Sequence, residues 1–309
     1  MNFIEELQKY DKKYAGPIAY SWRFPASEQN YPHLYFSTCV HGNEIGSLPA
    51  VLNFIKKLEQ KIIIYPGTIT LSLGNVEALK AGVRYIDHDM NRHFGDRQCQ
   101  HREGQRANEL CQLINECDIF VDFHQTIEPT SEPFYVIVDT IENRSFVKRL
   151  QLVKKAILRS PTHDTYLTAS TYANKQHKIS ATIELSQIGI NDQATALCAE
   201  LINSTLEIAA KLKQKNNIQQ LAIDLPELTW LAIAHYQKFD GPKCILKPGW
   251  ANLTAVKEHQ VLGKTDLGQD FLAPFNGYVL FPKYVDRDAQ GTPLKPPPQD
   301  IIAITKVVE

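Results

Sequence analysis

Four short stretches of this chain carry side chains able to do chemistry together. The first is His41-Gly42-Asn43-Glu44, an imidazole and a carboxylate three residues apart, with a glycine that lets the backbone take a tight path. The second is Asp122-Phe123-His124. Two imidazoles and one carboxylate form a normal catalytic zinc set, with a fourth position open to water. Asp122 would orient one imidazole from behind. The third is Glu184 within Thr182-Ile183-Glu184-Leu185. A carboxyl group among apolar neighbours has a raised pKa, which suits a proton carrier near neutral pH. The fourth runs from Arg84 to Arg92 and places two guanidinium groups and the Asn91 amide in one stretch. Such groups grip carboxylates and stabilise oxyanions.

Singly, each stretch has a plainer explanation. A lone histidine is more often structural than a ligand, and a buried glutamate is usually paired. Arg84 and Arg92 have Asp87, Asp89 and Asp96 nearby as partners. The combination is harder to dismiss: an HxxE after a strand, a DxH after a strand, and a later strand-borne glutamate. The remaining histidines, including His88, His93 and His101, receive no role from the sequence.

The elements that must position these residues alternate in type. Residues 34–40 read as a short apolar strand ending at His41, and Leu48, Val51, Leu52, Ile55 and Leu58 then recur at helical spacing. Residues 61–64 and 68–73 are rich in β-branched side chains and read as strands. Leu110, Leu113 and Ile114 mark a helix, and 118–123 is a strand delivering His124. Phe146, Val147, Leu150, Val153 and Ile157 form a further helical stripe, 179–185 a strand, and 192–213 a long helix. This alternation predicts an α/β fold, a mixed sheet flanked by helices. Beyond the polar run at 213–217, short strand-like pieces separated by Gly and Pro take over. The expected division is a catalytic domain over 1–217 and a smaller β-rich domain over 218–309 that caps the cleft.

Composition narrows the function classes. The chain has 309 residues, 43% of them hydrophobic, and a formal net charge of -1. It is long enough for a substantial core, and no strong field would draw nucleic acid or an anionic membrane. The opening MNFIEELQKY has neither a basic n-region nor an apolar h-region, so no signal peptide is expected. The six cysteines are scattered without a CxxC pair, which suits reduced thiols in a cytoplasmic protein. A homo-oligomer is left open.

Together, HGNEIG, RYIDHDMNRHF, VDFHQT and ATIELSQIG resemble the succinylglutamate desuccinylase and aspartoacylase family, within the wider zinc carboxypeptidase-like group. Order and spacing match over roughly residues 32 to 190. The resemblance implies one Zn2+ per chain held by His41, Glu44 and His124, with Glu184 as the general base. It makes Arg84 the stabiliser of the tetrahedral oxyanion, and Asn91 and Arg92 the grip on a substrate carboxylate. It also suggests a tyrosine from the C-terminal domain, for which Tyr284 is the candidate. Two departures stand out. The base sits in Thr-Ile-Glu-Leu-Ser where relatives have Gly-Ile-Glu-Val-Gly, and 174–178 has no arginine to read a second carboxylate, only Lys175 and Lys178. Glu128, just after the histidine loop, would disfavour a dianionic substrate. The segment 273–279 resembles the closing strand of a lipoyl-like sandwich but offers no lysine at a hairpin tip, so its role is structural or that of a lid. The expected activity is zinc-dependent hydrolysis of the amide bond of an N-acyl amino acid. A zinc carboxypeptidase acting on peptides and a non-catalytic zinc-binding module are the alternatives.

Overall fold

The computed structural model describes residues 2–160, 167–212, 218, 227–294 and 297–308. The domain boundary expected near 217 lies outside the described residues. The chain opens with α1 (Phe3–Gln8), α2 (Asp11–Tyr14), β1 (Ser21–Phe24) and β2 (Leu34–Thr38). Next come α3 (Leu48–Glu59), β3 (Ile69–Leu73), α4 (Val76–Ala81), a single 3-10 turn (Met90–Arg92) and α5 (Arg102–Glu116). These are followed by β4 (Ile119–Thr126), β5 (Phe134–Val138), α6 (Ile141–Leu150), β6 (Lys155–Arg159), α7 (Ala169–Lys175), β7 (Ile179–Gln187) and α8 (Asp192–Leu212). The C-terminal part contributes β8 (Thr229–Lys238), β9 (Ile245–Leu246), β10 (Ala255–Val256), β11 (Val261–Lys264), β12 (Asp270–Leu272), β13 (Gly277–Leu280) and β14 (Asp300–Val308).

Eleven strands form one mixed sheet in the order β1-β3-β2-β4-β7-β5-β6-β8-β14-β13-β10, and β12-β11-β9 form a second, smaller sheet. Its centre, β3-β2-β4-β7, is parallel. Parallel strands are covered on both faces, and β2, β3 and β4 are buried at every position. Side chains nevertheless alternate between two separate cores. Leu34, Phe36, Ile119, Val121, Phe123, Ala181, Ile183 and Leu185 pack with α3, α6 and α8. Tyr35 and Phe120 face the other way, towards α5 and α7. By the same period of two, Asp122, His124 and Glu184 belong to this second face.

The helices carry their own start signals. Asn75 caps α4 by accepting from the Ala78 N–H, and the helix ends on Gly82 at φ +65°. His101 caps α5 by accepting from the Gly104 N–H, and Asn191 accepts from the Ala194 N–H at the start of α8.

The mixed sheet flanked by helices and the β-rich C-terminal region match the sequence reading. Two local expectations do not hold. Residues 61–64 form no strand; Lys61 turns the chain at φ +57° after α3, and Ile62 and Ile64 are exposed. The apolar stripe continued to Ile157 is broken after Leu150, where Gln151 takes φ +57°. Val153 and Ile157 instead belong to the approach to β6 and to β6 itself. Here the same apolar positions serve two periods, and the turn between them carries no Gly or Pro to announce it. Among the described residues, no helix is long and apolar enough to cross a membrane.

Candidate functional site

The site forms at the carboxyl ends of three adjacent parallel strands, where α/β sheets commonly open a crevice. β2 leads to His41, β4 carries His124, and β7 carries Glu184, which sits directly across from His124 in the strand register. After β2 the backbone strains to reach this position, with Cys39 at φ +56° and fully buried. Gly42 then passes so close to α4 that a Cβ would fall 2.2 Å from the backbone of Ala78 and Leu79. Only glycine lets the turn between His41 and Glu44 lie there.

Glu44 is the centre of the cluster. Its carboxylate oxygens lie 2.7 Å from His41 Nδ1 and 2.8 Å from His124 Nδ1. The three donor atoms fall within 4.8 Å of one another, and all three side chains are buried. Each imidazole turns its other nitrogen to a carboxylate behind it. His124 Nε2 is 2.8 Å from Asp122 Oδ2, and His41 Nε2 is 3.0 Å from Asp89 Oδ1. This backing carboxylate fixes ring orientation and tautomer in metal-holding histidines. It leaves both Nδ1 atoms directed at one point.

The electrostatics favour positive charge at that point. Burial lowers the His124 pKa, but the Asp122 and Glu44 carboxylates outweigh it and raise it well above the ordinary value. Burial raises the Glu44 carboxyl, and the His41 and His124 charges outweigh it and hold it well below the ordinary range. Glu184 behaves oppositely. Burial, opposed by the His124 charge and reinforced by Glu44, pushes its pKa up to about 7. Its Oε2 is buried without a hydrogen-bond partner among the described residues. The result is a carboxyl group poised near neutrality beside two imidazoles.

Arg84 joins the cluster directly. Its Nη1 donates to Glu44 Oε1 at 2.9 Å, and its Nη2 lies 2.9 Å from His41 Nε2 and 3.5 Å from Asp89 Oδ2. Asn91 and Arg92 occupy the 3-10 turn that follows. The Asn91 side-chain oxygen accepts from the Ala169 N–H at the start of α7, and exposed Arg92 donates to the Asn91 carbonyl at 2.7 Å. Tyr284 packs against the C-terminal core; its hydroxyl accepts from the Trp250 N–H and donates to the Lys247 carbonyl. Lys175 is at the end of α7 and Lys178 just before β7.

Four further residues shape the site and were not singled out as site residues from the sequence. Asp89 backs His41, and only the tertiary fold reveals this, since 48 residues separate the pair. Gln125 donates its backbone N–H to Glu44 Oε2 and ties the 44–46 turn to the end of β7 through Gly46, Gln187 and Gly189. Its position beside His124 was the one available signal. Asn252, fully buried in the C-terminal region, donates its backbone N–H to the Pro129 carbonyl and accepts from the Ser131 N–H, gripping the loop that follows His124. Lys283 donates to the Asp300 carbonyl at 2.9 Å. Burial lowers its pKa, and the Arg92 and Arg84 charges lower it further.

Residues 30–214, over half of the chain, match the family model of the succinylglutamate desuccinylase/aspartoacylase catalytic domain. The chain belongs to this family. A succinylglutamate desuccinylase of Burkholderia pseudomallei is 32% identical over 85 residues, 26% of this chain and 24% of that one. One of Pseudomonas aeruginosa is 33% identical over 92 residues, 28% of this chain and 27% of that one. The aligned segment thus spans about a quarter of the length of the curated relatives it matches. The fold extends further. A succinylglutamate desuccinylase structure from Chromobacterium violaceum superposes with a TM-score of 0.72 at 17% identity, covering 99% of this chain and 98% of the other. Murine aminoacylase 3 gives a TM-score of 0.67 at 16% identity, covering 91% and 97%.

Proposed function

We propose that this family member hydrolyses the amide bond of an N-acyl amino acid, using zinc held by His41, Glu44 and His124. The observation that carries this reading is the convergence of those three donors within 4.8 Å, next to a buried carboxyl of raised pKa with an oxygen unpartnered among the described residues. The residues fit the ion. Two nitrogens and one carboxylate are its usual donors, Asp122 and Asp89 back the two rings, and the raised pKa of His124 marks a pocket that favours positive charge. When bound, zinc supplies Lewis acidity that polarises the scissile carbonyl.

The protein's own groups do the rest. Glu184 takes a proton from the attacking water and delivers it to the leaving amine, a role matched to a pKa near operating pH. Arg84, about a quarter exposed, faces the same space with a guanidinium suited to the developing oxyanion. Asn91 and Arg92 bind the carboxylate of the amino-acid portion.

The division into a catalytic domain over 1–217 and a capping β-rich domain over 218–309 belongs to this proposal. Its support is the grip of Asn252 on 129–131 and the influence of the Arg92 and Arg84 charges on Lys283. Tyr284, the neighbour of Lys283, would then line the outer edge of the cleft. A capped cleft admits small substrates and excludes long peptides.

The test is turnover of a panel of N-acyl amino acids, including N-succinyl and N-acetyl forms, by protein stripped with chelator and reloaded with zinc. Activity that requires zinc, with long peptides left uncut, is the expected result. Full activity in excess chelator, or efficient cleavage of long peptides, would overturn the reading.

A further inference from the structure

We propose a second metal site in this chain, separate from the His41 cluster, built from His93, Cys99 and His101. No sequence motif assigns these residues a role. The fold gathers them where the stretch between the 3-10 turn and α5 doubles back, and their donor atoms lie within 4.8 Å of one another. His93 Nδ1 is 3.7 Å from Cys99 Sγ. Zinc bonded at about 2.3 Å to sulfur and about 2.0–2.1 Å to nitrogen in a tetrahedron separates its ligands by a similar distance. The rings of His93 and His101 meet edge to face with centroids 4.4 Å apart, and the exposed His88 stacks on His101 at 4.1 Å.

Two features show that the site is built. His101 Nε2 is buried without a hydrogen-bond partner among the described residues. Its other nitrogen, Nδ1, accepts from the Gly104 N–H at 3.2 Å and lies 3.6 Å from Glu103 Oε2, a buried oxygen without a hydrogen-bond partner among the described residues. A metal on Nε2 places the ring proton on Nδ1, which then gives up the Gly104 N–H and faces the Glu103 carboxylate 3.6 Å away. One ion thereby gives Nε2 its missing partner and sets a carboxylate behind the ring, a pattern common behind metal ligands. The second feature is Gly104. A Cβ there would fall 2.2 Å from Cys99 Sγ, so glycine makes the room for the thiol against the start of α5.

Two imidazoles and a thiolate form a borderline-soft set that favours zinc over calcium or magnesium. The site closes the segment that begins with Asp89, Asn91 and Arg92, so an ion here fixes the loop that flanks the His41 cluster.

Sulfur separates the two sites experimentally, because the His41 cluster contains none. Cobalt titrated into metal-free, reduced protein should give the near-ultraviolet charge-transfer band of a thiolate-bound ion. Cys99→Ser should abolish that band and bind one equivalent fewer than wild type. His101→Asn should do the same while keeping an N-cap for α5, since Asn caps as well as any residue; circular dichroism checks that both variants are folded. His41→Ala should keep the band, whatever becomes of turnover. Absence of the band in wild type, its survival in folded Cys99→Ser, or an unchanged stoichiometry in folded His101→Asn would overturn the proposal.

Discussion

Replacing Glu184 by Gln should produce a protein that is inactive and, in its metal-free form, more stable. The carboxyl is buried, its pKa is raised from an ordinary 4.5 to about 7, and one oxygen has no partner among the described residues. At about 1.4 kcal/mol per pH unit, keeping it ionised costs the folded state on the order of 3 kcal/mol. The sign follows from linkage. Below pH 4.5 the group is protonated in both folded and unfolded chains, and the penalty vanishes. Between 4.5 and 7 the unfolded chain releases a proton that the folded chain keeps, so wild-type stability falls as pH rises. Above 7 the loss is complete. Glutamine escapes this penalty but leaves a buried amide short of partners, a cost of about 1–3 kcal/mol. The net gain at about pH 8 is roughly 1 kcal/mol, or a rise in Tm of about 2–4 °C. Near pH 4.5 the gain should disappear or reverse. Turnover should fall by about 100-fold to 10,000-fold, the scale of a lost general base. The assay pairs calorimetry of metal-free protein at both pH values with kcat of zinc-loaded protein. Near-wild-type turnover would move the base elsewhere, with Glu128 the next suspect. A variant less stable than wild type by the same amount at both pH values would refute the electrostatic account of Glu184.

Asp122→Ala should weaken zinc affinity by about 10-fold to 100-fold, because His124 loses the carboxylate that fixes its ring; competition with a chromophoric chelator measures this, and unchanged affinity would count against the assignment. Arg92→Ala should lower kcat/KM at least about 10-fold on a substrate with a free carboxylate, with Lys rescuing only in part. Comparing that substrate with its neutral amide is decisive, since an equal loss on both would make Arg92 structural. Gly42→Ala should cost about 1–3 kcal/mol of stability, as the new Cβ meets the α4 backbone at 2.2 Å. It should also reduce zinc affinity by displacing His41 or Glu44, and a variant with wild-type melting and metal binding would show that the turn has room to spare.

Local sequence chemistry determined much of this protein. Apolar runs with β-branched residues mark β2, β4 and β7, because strands covered on both faces must be apolar throughout. A polar side chain at the end of such a run has few reasons to be there, which is why His41, His124 and Glu184 are legible as a set. Spacing also relates His41 to Glu44, which a three-residue turn brings to 2.7 Å. Tertiary structure decided what depends on distant segments. It placed Asp89 behind His41 and Asn252 against 129–131, pairings made across 48 and more than a hundred residues with no periodic pattern to announce them. It divided the stripe from Phe146 to Ile157 between α6 and β6, because Gln151 adopts a left-handed conformation that sequence seldom signals outside Gly and Asn. It also gathered His93, Cys99 and His101, whose spacing matches no ligand motif, by folding their stretch back on the capped start of α5. Burial and periodicity are local properties that a sequence carries in its order. Which side chains meet across the sheet and its loops is set by how the whole chain packs, and only there do the charges that tune Glu44, His124 and Glu184 come together.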